Sequence, residues 1–148
     1  MPTSTIELHR VLRAPVSRVY RAFLDGPALC KWLPPNGFTC SVEHINATEG
    51  GTFSLNFHNF ATGEAHSFGG TYLELIADQR IRYTDQFDDP NLSGEVLVTI
   101  TFKKLISGTD VTIVQAGIPE VILTEACYLA WQESLQLLAQ LVETNITH

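Results

Sequence analysis

The apolar residues of this chain recur first with period two, then with helical spacing, then with period two over a long stretch, and finally with helical spacing again. The first stretch, from Ile6 to Leu12, predicts a strand, because side chains two residues apart share one face of a β-strand. Pro15 follows in a position typical of the first turn of a helix. The next residues predict an amphipathic helix whose apolar stripe consists of Val16, Val19, Tyr20, Phe23 and Leu24.

A second, short helix is predicted before the period changes. It carries Leu29, Trp32 and Leu33 and ends at Pro34-Pro35. From Gly37 onward, apolar and polar residues alternate over about six segments separated by turn sequences, which predicts an antiparallel meander. Within it, Gly69-Gly70 indicates a bulge or a close approach of two backbones. Asp88-Asp89-Pro90-Asn91 predicts a loop, and the last strand is predicted to carry Val111, Ile113 and Gln115.

One long helix is predicted to complete the domain. Gly117-Ile118-Pro119 interrupts the alternation, and the residues from Glu120 to about Glu143 contain neither proline nor glycine. Helical spacing places six residues on one stripe: Thr124, Tyr128, Trp131, Leu135, Leu138 and Val142. An antiparallel sheet with one apolar face needs a cover, and this helix can provide it. The pattern therefore predicts a single α+β domain over residues 1–148, with a strongly twisted sheet curled around the helix.

Charge and composition narrow the classes of partner. Acidic residues outnumber basic ones by 16 to 9, which gives a net charge of -7, and the cations are scattered along the chain. Nucleic acids and anionic membrane surfaces are therefore not expected as partners. No apolar stretch approaches the ~20 residues that a membrane span needs. The first residues show neither the basic region nor the apolar segment of a secretory signal, so a cytoplasmic protein is expected.

The residues that most often carry chemistry do not form a recognisable motif. The histidines at positions 9, 44, 58, 66 and 148 form no closely spaced pair, so no metal site is expected, and no other cofactor is expected either. Cys30, Cys40 and Cys127 contain no C-x-x-C pair and predict buried, reduced thiols. Nucleophile elbows, phosphate loops and dinucleotide motifs are absent from the sequence. Catalytic residues therefore stay unassigned.

Four stretches carry a resemblance to a known superfamily. They are residues 14–23, Lys31-Trp32-Leu33-Pro34-Pro35, residues 70–75 leading to Arg82-Tyr83-Thr84, and Trp131 with its apolar neighbours in the last helix. In this order they resemble the START-like, polyketide-cyclase-like (SRPBCC) superfamily. Within it, the chain is similar to the branch related to the C-terminal domain of the activator of the ninety-kilodalton heat-shock-protein ATPase. The resemblance implies a helix-grip fold, with six to seven curved strands around a long C-terminal helix and two short helices after the first strand.

The resemblance also implies a cavity between the curled sheet and the long helix, open near the two short helices. Relatives use such a cavity for apolar molecules such as lipids or polyketides. The large side chains expected near it are also residues that simply fill a protein core, and both interpretations remain open for each of them. The residues predicted to contact a ligand are Trp32, Phe38, Phe57, Tyr72, Tyr83, Asp85, Phe87, Tyr128 and Trp131.

Asp85 is the most unusual residue of this set. It lies in phase with Ile81, Tyr83 and Phe87, so its carboxyl group is expected to point inward. A buried carboxylate must be paired, hydrogen-bonded or protonated. Asp85 could therefore anchor a ligand or transfer a proton, or it could lie at a strand end where the carboxylate reaches solvent. Gln115 is a second, less unusual polar residue that is expected to point inward.

Three functions are compatible with the sequence. The first is a ligand-binding protein, a monomer or homodimer, that holds an apolar or aromatic small molecule. The second is an enzyme, such as a cyclase, dehydratase or hydrolase, that uses Asp85, Tyr83 and Tyr72 on a polyketide-like substrate. The third is a chaperone cofactor, which ranks last because the chain lacks the additional N-terminal domain of the eukaryotic activators. The ligand-binding protein requires only the cavity and is the favoured hypothesis.

Overall fold

The computed structural model describes residues 3–87 and 94–144. The predicted loop at residues 88–91 lies outside the described residues. The elements follow in the order β1 (Thr3–Leu12), α1 (Val16–Ala22), α2 (Gly26–Trp32), β2 (Phe38–Ile45), β3 (Thr52–Asn59), β4 (Ala65–Ile76), β5 (Arg80–Phe87), β6 (Val96–Leu105), β7 (Gly108–Pro119) and α3 (Thr124–Val142). This is the α+β, helix-grip architecture that the sequence predicts.

The seven strands form one antiparallel sheet in the order β1-β7-β6-β5-β4-β3-β2. The register brings the apolar positions of neighbouring strands opposite one another, as in Ile81 opposite Ile100 and Leu55 opposite Phe68. Because side chains alternate across a strand, these positions share one face, which is the concave face of the curved sheet. The three helices cover that face, and α3 packs against β1, α1 and α2.

The burial of the α3 stripe increases along the helix. Tyr128 is 38% exposed, Trp131 is 9% exposed and Leu138 is fully buried. Thr124, at the start of the same stripe, is also exposed. The C-terminal half of α3 therefore packs into the core, whereas its N-terminal half is more exposed.

Trp32 belongs to the core of the domain. Its side chain has 0% exposure, its indole N–H donates to the carbonyl oxygen of Ala22 at 2.9 Å, and its ring meets that of Phe23 edge-on at 4.7 Å. Trp32 is thus a core residue in this structure, and its contact with a ligand stays a prediction. At the start of the same helix, the Asp25 carboxylate caps α2 by accepting from the N–H of Ala28 at 3.0 Å.

The boundary between β7 and α3 differs from the prediction. The strand continues through Gly117 to Pro119, and the helix begins at Thr124 instead of Glu120. Ile118 pairs with Ser4 and Ala116 pairs with Thr5, so Gly117 is an extra residue in β7. Its φ of 82° is readily adopted by glycine, and the resulting bulge turns Ile118 into the core, where it is 1% exposed.

Gly69 and Gly70 allow close backbone contacts within the sheet, as the sequence predicts. A Cβ atom on Gly70 would collide with the carbonyl oxygen of Thr84 in β5, and one on Gly69 would collide with the carbonyl oxygen of Phe53 in β3. The side chain of Thr84 also accepts a hydrogen bond from the N–H of Thr71 at 3.1 Å. The glycine pair thus lets β4 curve between its two neighbours.

Replacing Gly70 by alanine tests this close approach. We expect Gly70→Ala to lower the free energy of unfolding by about 2–4 kcal/mol, because the backbone of β5 must move to admit the methyl group. Gly26→Ala is the matched control, since its new Cβ would lie 3.4 Å from Val42, an ordinary contact, and should change stability by less than about 1 kcal/mol. Urea denaturation of both variants provides the measurement, and equal midpoints for the two would contradict the prediction.

Candidate functional site

The concave face is more accessible at one end of the sheet than at the other. Along β5, Ile81 is buried whereas Tyr83 and Asp85 are half-buried, and along β3 Leu55 is buried whereas Phe57 is half-buried. Along β4, Tyr72 is buried whereas Phe68 is half-buried, and along β7 Ile113 is buried whereas Gln115 is half-buried. The residues that mark this open end of the concave face are Phe57, Phe68, Tyr83, Asp85 and Gln115. Of these residues, Gln115 contacts α3, through a hydrogen bond with Trp131.

Aromatic rings form most of the surface near this open end. Phe53 contacts both Tyr72 and Tyr83, with ring centroids 5.2 Å and 5.4 Å away. Phe57 lies edge-on to Phe68 at 4.7 Å and is 6.4 Å from Phe38. The contacts of Phe53 with Tyr83 and of Phe57 with Phe68 are edge-to-face, an arrangement that stabilises aromatic pairs. The structure thus brings together Phe38, Phe57, Tyr72 and Tyr83 from the predicted set.

Asp85 points inward among these rings, as the phase of its strand predicts. It pairs with Val96 of β6 and shares the concave face with Tyr83. Its Oδ1 atom is buried and has no hydrogen-bond partner among the described residues. Burial raises the pKa of Asp85 to about 7, and the backbone N–H of Gln86 only partly offsets this effect. The carboxyl group is therefore poised to exchange a proton near neutral pH.

The two neighbouring tyrosines stay protonated at neutral pH. Burial raises the pKa of Tyr72 to about 12. Burial, together with the charges of Asp85 and Tyr72, raises the pKa of Tyr83 well above its usual range. Both phenols can therefore donate hydrogen bonds to a ligand, but neither is a good base under these conditions.

The side chains of Gln115 and Trp131 form a hydrogen bond with each other. The indole N–H of Trp131 donates to Oε1 of Gln115 at 2.9 Å, which links α3 to β7 at the open end of the concave face. The sequence identifies Gln115 as an inward polar residue, but its partner is 16 residues away on another element and could not be predicted from spacing. Gln115 thus has a hydrogen-bond partner within the fold, whereas the Oδ1 atom of Asp85 has none among the described residues.

The remaining predicted residues occupy different environments. Tyr128 lies on the α3 stripe but is partly exposed to solvent. Phe87 is the last residue of β5 and pairs with Phe68, while its side chain lies outside the described part of the structure. Trp32 is in the core, as stated above. The site that the structure assembles is thus smaller than the predicted set and centres on Asp85.

No group of three or more histidine, cysteine, aspartate or glutamate side chains close enough to bind a metal ion occurs within residues 3–87 and 94–144. His58 instead hydrogen-bonds to the Ser41 hydroxyl at 3.1 Å, and His44 to the Thr52 hydroxyl at 3.0 Å. Among the helices described, none combines the length and the apolar character that crossing a bilayer requires.

Within the described part of the chain, two surface grooves lie along α3, away from the predicted residues. One, of about 430 Å³, lies between α1, α2 and the end of α3 and is lined in part by Arg18, Arg21 and Lys31. The other, of about 380 Å³, is lined mainly by polar residues of α3 such as Gln132 and Gln136. Neither groove contains a residue of the predicted site. The candidate site around Asp85 therefore lies on the concave face and not in either of these grooves.

Comparison with known proteins agrees with this fold. Residues 13–143 match the family described as Activator of Hsp90 ATPase homolog 1-like protein. A crystal structure of a protein from Chromobacterium violaceum is 57% identical, covers 95% of this chain and 98% of its own, and superposes with a TM-score of 0.93. The resemblance predicted from the sequence is thereby confirmed. No curated protein matches the chain.

More distant structures share the fold alone. A protein from Rhodobacter sphaeroides is 16% identical, with a TM-score of 0.84 and coverage of 95% of this chain and 92% of its own. A solution structure from Staphylococcus epidermidis is 20% identical, with a TM-score of 0.83 and coverage of 100% and 94%. The fold is thus retained at identities too low to carry a site from one protein to another.

The raised pKa of Asp85 predicts a pH dependence of stability. The folded protein holds this proton up to about pH 7, whereas the unfolded chain releases it near its usual pKa of ~3.9. Between these values the folded state binds more protons, so stability falls as pH rises. The difference in unfolding free energy between the wild type and Asp85→Asn should therefore change by about 4 kcal/mol from pH 4 to pH 8, in favour of the variant.

Urea denaturation at a series of pH values measures this difference. A profile for Asp85→Asn that runs parallel to that of the wild type would contradict the prediction, because it would show that Asp85 ionises freely in the folded protein. Asp110→Asn removes a buried carboxylate oxygen on the opposite face of the sheet from Val111, and it serves below as the control for ligand binding.

Proposed function

The chain belongs to the Activator of Hsp90 ATPase homolog 1-like family, whose fold commonly binds small ligands, and we propose that it binds an apolar or aromatic small molecule at the open end of the concave face. The observation that carries this proposal is the Asp85 carboxyl group. Its Oδ1 atom is buried on the concave face that it shares with Tyr83, and it lacks a hydrogen-bond partner among the described residues. A ligand with an apolar body and one hydrogen-bonding group would complete the site.

The surroundings of Asp85 support a ligand of this kind. Leaving a buried polar group unpaired costs about 1–3 kcal/mol, and a ligand group that hydrogen-bonds to it recovers that free energy. Tyr83, Phe57 and Phe68 supply the flat apolar surface that small-molecule sites typically present beside a few polar groups. The ligand hydroxyl or amine would donate to Oδ1, and this contact is strongest when the carboxyl group is ionised.

The partial cover by α3 supports an entry route. The N-terminal half of this helix is more exposed than its C-terminal half, and the link between Trp131 and Gln115 lies where the two halves meet. Small displacements of that N-terminal half would widen the space above Tyr83 and Asp85 without disturbing the buried stripe. Binding would then close the helix over the ligand and bury the aromatic rings further.

An enzymatic function is the second candidate, and the pKa of Asp85 favours it. A carboxyl group with a pKa of about 7 can act as a general acid or base at neutral pH, whereas the protonated Tyr72 and Tyr83 can orient a carbonyl oxygen. A cyclisation, dehydration or hydrolysis of a polyketide-like substrate would use this arrangement. Turnover of the bound molecule distinguishes the enzyme from the binding protein, because both would lose affinity on Asp85→Asn.

A chaperone cofactor is the third candidate, suggested only by the name of the family. It would act through its surface, so its interaction with a large chaperone should be unaffected by Asp85→Asn. Retention of a chaperone on the immobilised chain, with the Asp85→Asn variant equally effective, would favour this function over the binding of a small molecule.

The two tryptophans allow a direct test of ligand binding. Trp32 is fully buried in the core, whereas Trp131 lies beside the open end of the concave face. Titration with flat apolar compounds that carry a hydroxyl or amine should change the fluorescence of Trp131 saturably. The signal should persist in Trp32→Phe, in which Trp131 is the sole tryptophan, and should be lost in Trp131→Phe.

The affinity of Asp85→Asn tests the polar anchor in the same assay. We expect its dissociation constant to rise about 10-fold or more, because a charge-assisted hydrogen bond is worth about 1.5–3 kcal/mol. Asp110→Asn should bind like the wild type. An absence of saturable change across a diverse panel, or a signal that arises from Trp32 instead, would contradict the proposed site.

A further inference from the structure

Two of the three cysteines meet in space although they are ten residues apart. Cys30 lies in α2 and Cys40 in β2, and their Sγ atoms are 2.9 Å apart, with the thiol of Cys30 donating to that of Cys40. Both residues are half-buried and both carry free thiols. The third cysteine, Cys127, lies on α3. The sequence predicts buried, reduced thiols without a C-x-x-C pair, so the proximity of these two thiols arises from the packing of α2 on β2.

The position of the pair is determined by a well-packed contact. Gly26, at the start of α2, lies against β2, since a Cβ on it would be 3.4 Å from Val42 and 3.6 Å from Ile45. On the sheet, Cys40 pairs with Phe57 and faces the concave side. A disulfide has a bond length of about 2.05 Å, so the two sulfur atoms need to approach by only about 0.9 Å. Side-chain rotation can supply such a movement without displacing either element.

We propose that Cys30 and Cys40 form a redox modification site, which reacts with a low-molecular-weight disulfide such as oxidised glutathione and becomes an intramolecular disulfide. This proposal is independent of the proposed ligand, because it rests on the two thiols and the contact between α2 and β2. Cys127 is not part of the site.

The reaction balances as two thiol–disulfide exchanges. The Cys30 thiolate attacks one sulfur of oxidised glutathione, which forms a mixed disulfide and releases one glutathione thiolate. The Cys40 thiolate then attacks the Cys30 sulfur, which forms the protein disulfide and releases the second glutathione. The protein loses two protons and two electrons, and one oxidised glutathione becomes two reduced molecules.

The surroundings of the two thiols indicate the order of attack. Burial raises the pKa of Cys40. Cys40 therefore forms a thiolate less readily than an ordinary cysteine, and we assign the first attack on the oxidant to Cys30. Once Cys30 carries glutathione, the Cys40 sulfur is already beside it, so the second exchange is intramolecular and fast relative to attack by a second glutathione.

The bond would link the edge strand of the sheet to α2. It closes a short loop that contains the turn between them, which lowers the conformational entropy of the unfolded chain. We expect oxidation to raise the unfolding temperature by about 5–10 °C, and reduction by dithiothreitol to reverse the increase. The reversal distinguishes a protein disulfide from irreversible oxidation of the thiols.

Peptide mapping of the full chain provides the decisive experiment. Trypsin cleaves after Arg21, Lys31 and Arg80, so peptide 22–31 contains Cys30 and peptide 32–80 contains Cys40. After incubation with excess oxidised glutathione and alkylation of the remaining thiols, a non-reducing digest should contain these two peptides joined, with two hydrogens fewer than their sum. Cys127 should be alkylated, and the number of free thiols should fall from three to one.

Three single variants serve as controls. Cys30→Ser and Cys40→Ser should give neither the joined peptides nor the rise in unfolding temperature, and Cys127→Ser should behave like the wild type. The proposal is overturned if the wild type retains three alkylated cysteines, or if glutathione adducts accumulate without the joined peptides. Because both of these outcomes are measured on the wild-type chain, they do not depend on the folding of any variant.

Discussion

A sheet of seven strands has a wider apolar face than one helix can cover, and the rest of this structure follows from that constraint. The helix α3 packs closely where its stripe meets β1, α1 and α2, and it leaves the strand ends around Tyr83 and Asp85 less covered. Apolar surface that the fold does not bury is available to bury something else. The uneven cover provided by α3 therefore places the candidate site at one end of the concave face, without any dedicated loop or additional element.

The two inward polar residues have different roles, since one contributes to the fold and the other belongs to the candidate site. Gln115 accepts the indole N–H of Trp131 and so contributes to the attachment of α3. Asp85, two strands away in the same sheet, has a buried oxygen without a described partner and a raised pKa. A carboxyl group in such an environment lowers the stability of the fold when it ionises, and such an unfavourable arrangement is typical of functional sites. The aromatic residues around it would be ordinary core residues without this carboxyl group.

Local pattern predicted most of the fold, since period and turn residues report on one element at a time. The strand phases correctly oriented Asp85, Tyr83 and Gln115, and the glycine pair at 69–70 indicated the close strand contacts. Contacts between distant elements could not be predicted in this way. The sequence predicts Trp32 beside a cavity opening, whereas the structure buries it in the core. The proximity of Cys30 to Cys40 depends on how α2 packs on β2. The bulge at Gly117 likewise depends on the partner strand.

The C-terminal half of α3 is held by specific hydrogen bonds as well as by its apolar stripe. The guanidinium of Arg18 donates to the carbonyl oxygen of Val142, the backbone N–H of Arg13 donates to the Glu143 carboxylate, and the hydroxyl of Ser134 donates to the carbonyl oxygen of Leu33. The last turns of α3 are thus fixed to other segments of the chain, whereas its first turns are more exposed. In deuterium exchange, the amide protons of α3 should form a gradient, with the earliest turns exchanging through local fraying and the last turns only through global unfolding. Under the proposed function, the C-terminal turns of α3 would remain part of the core while its N-terminal turns move to admit the ligand.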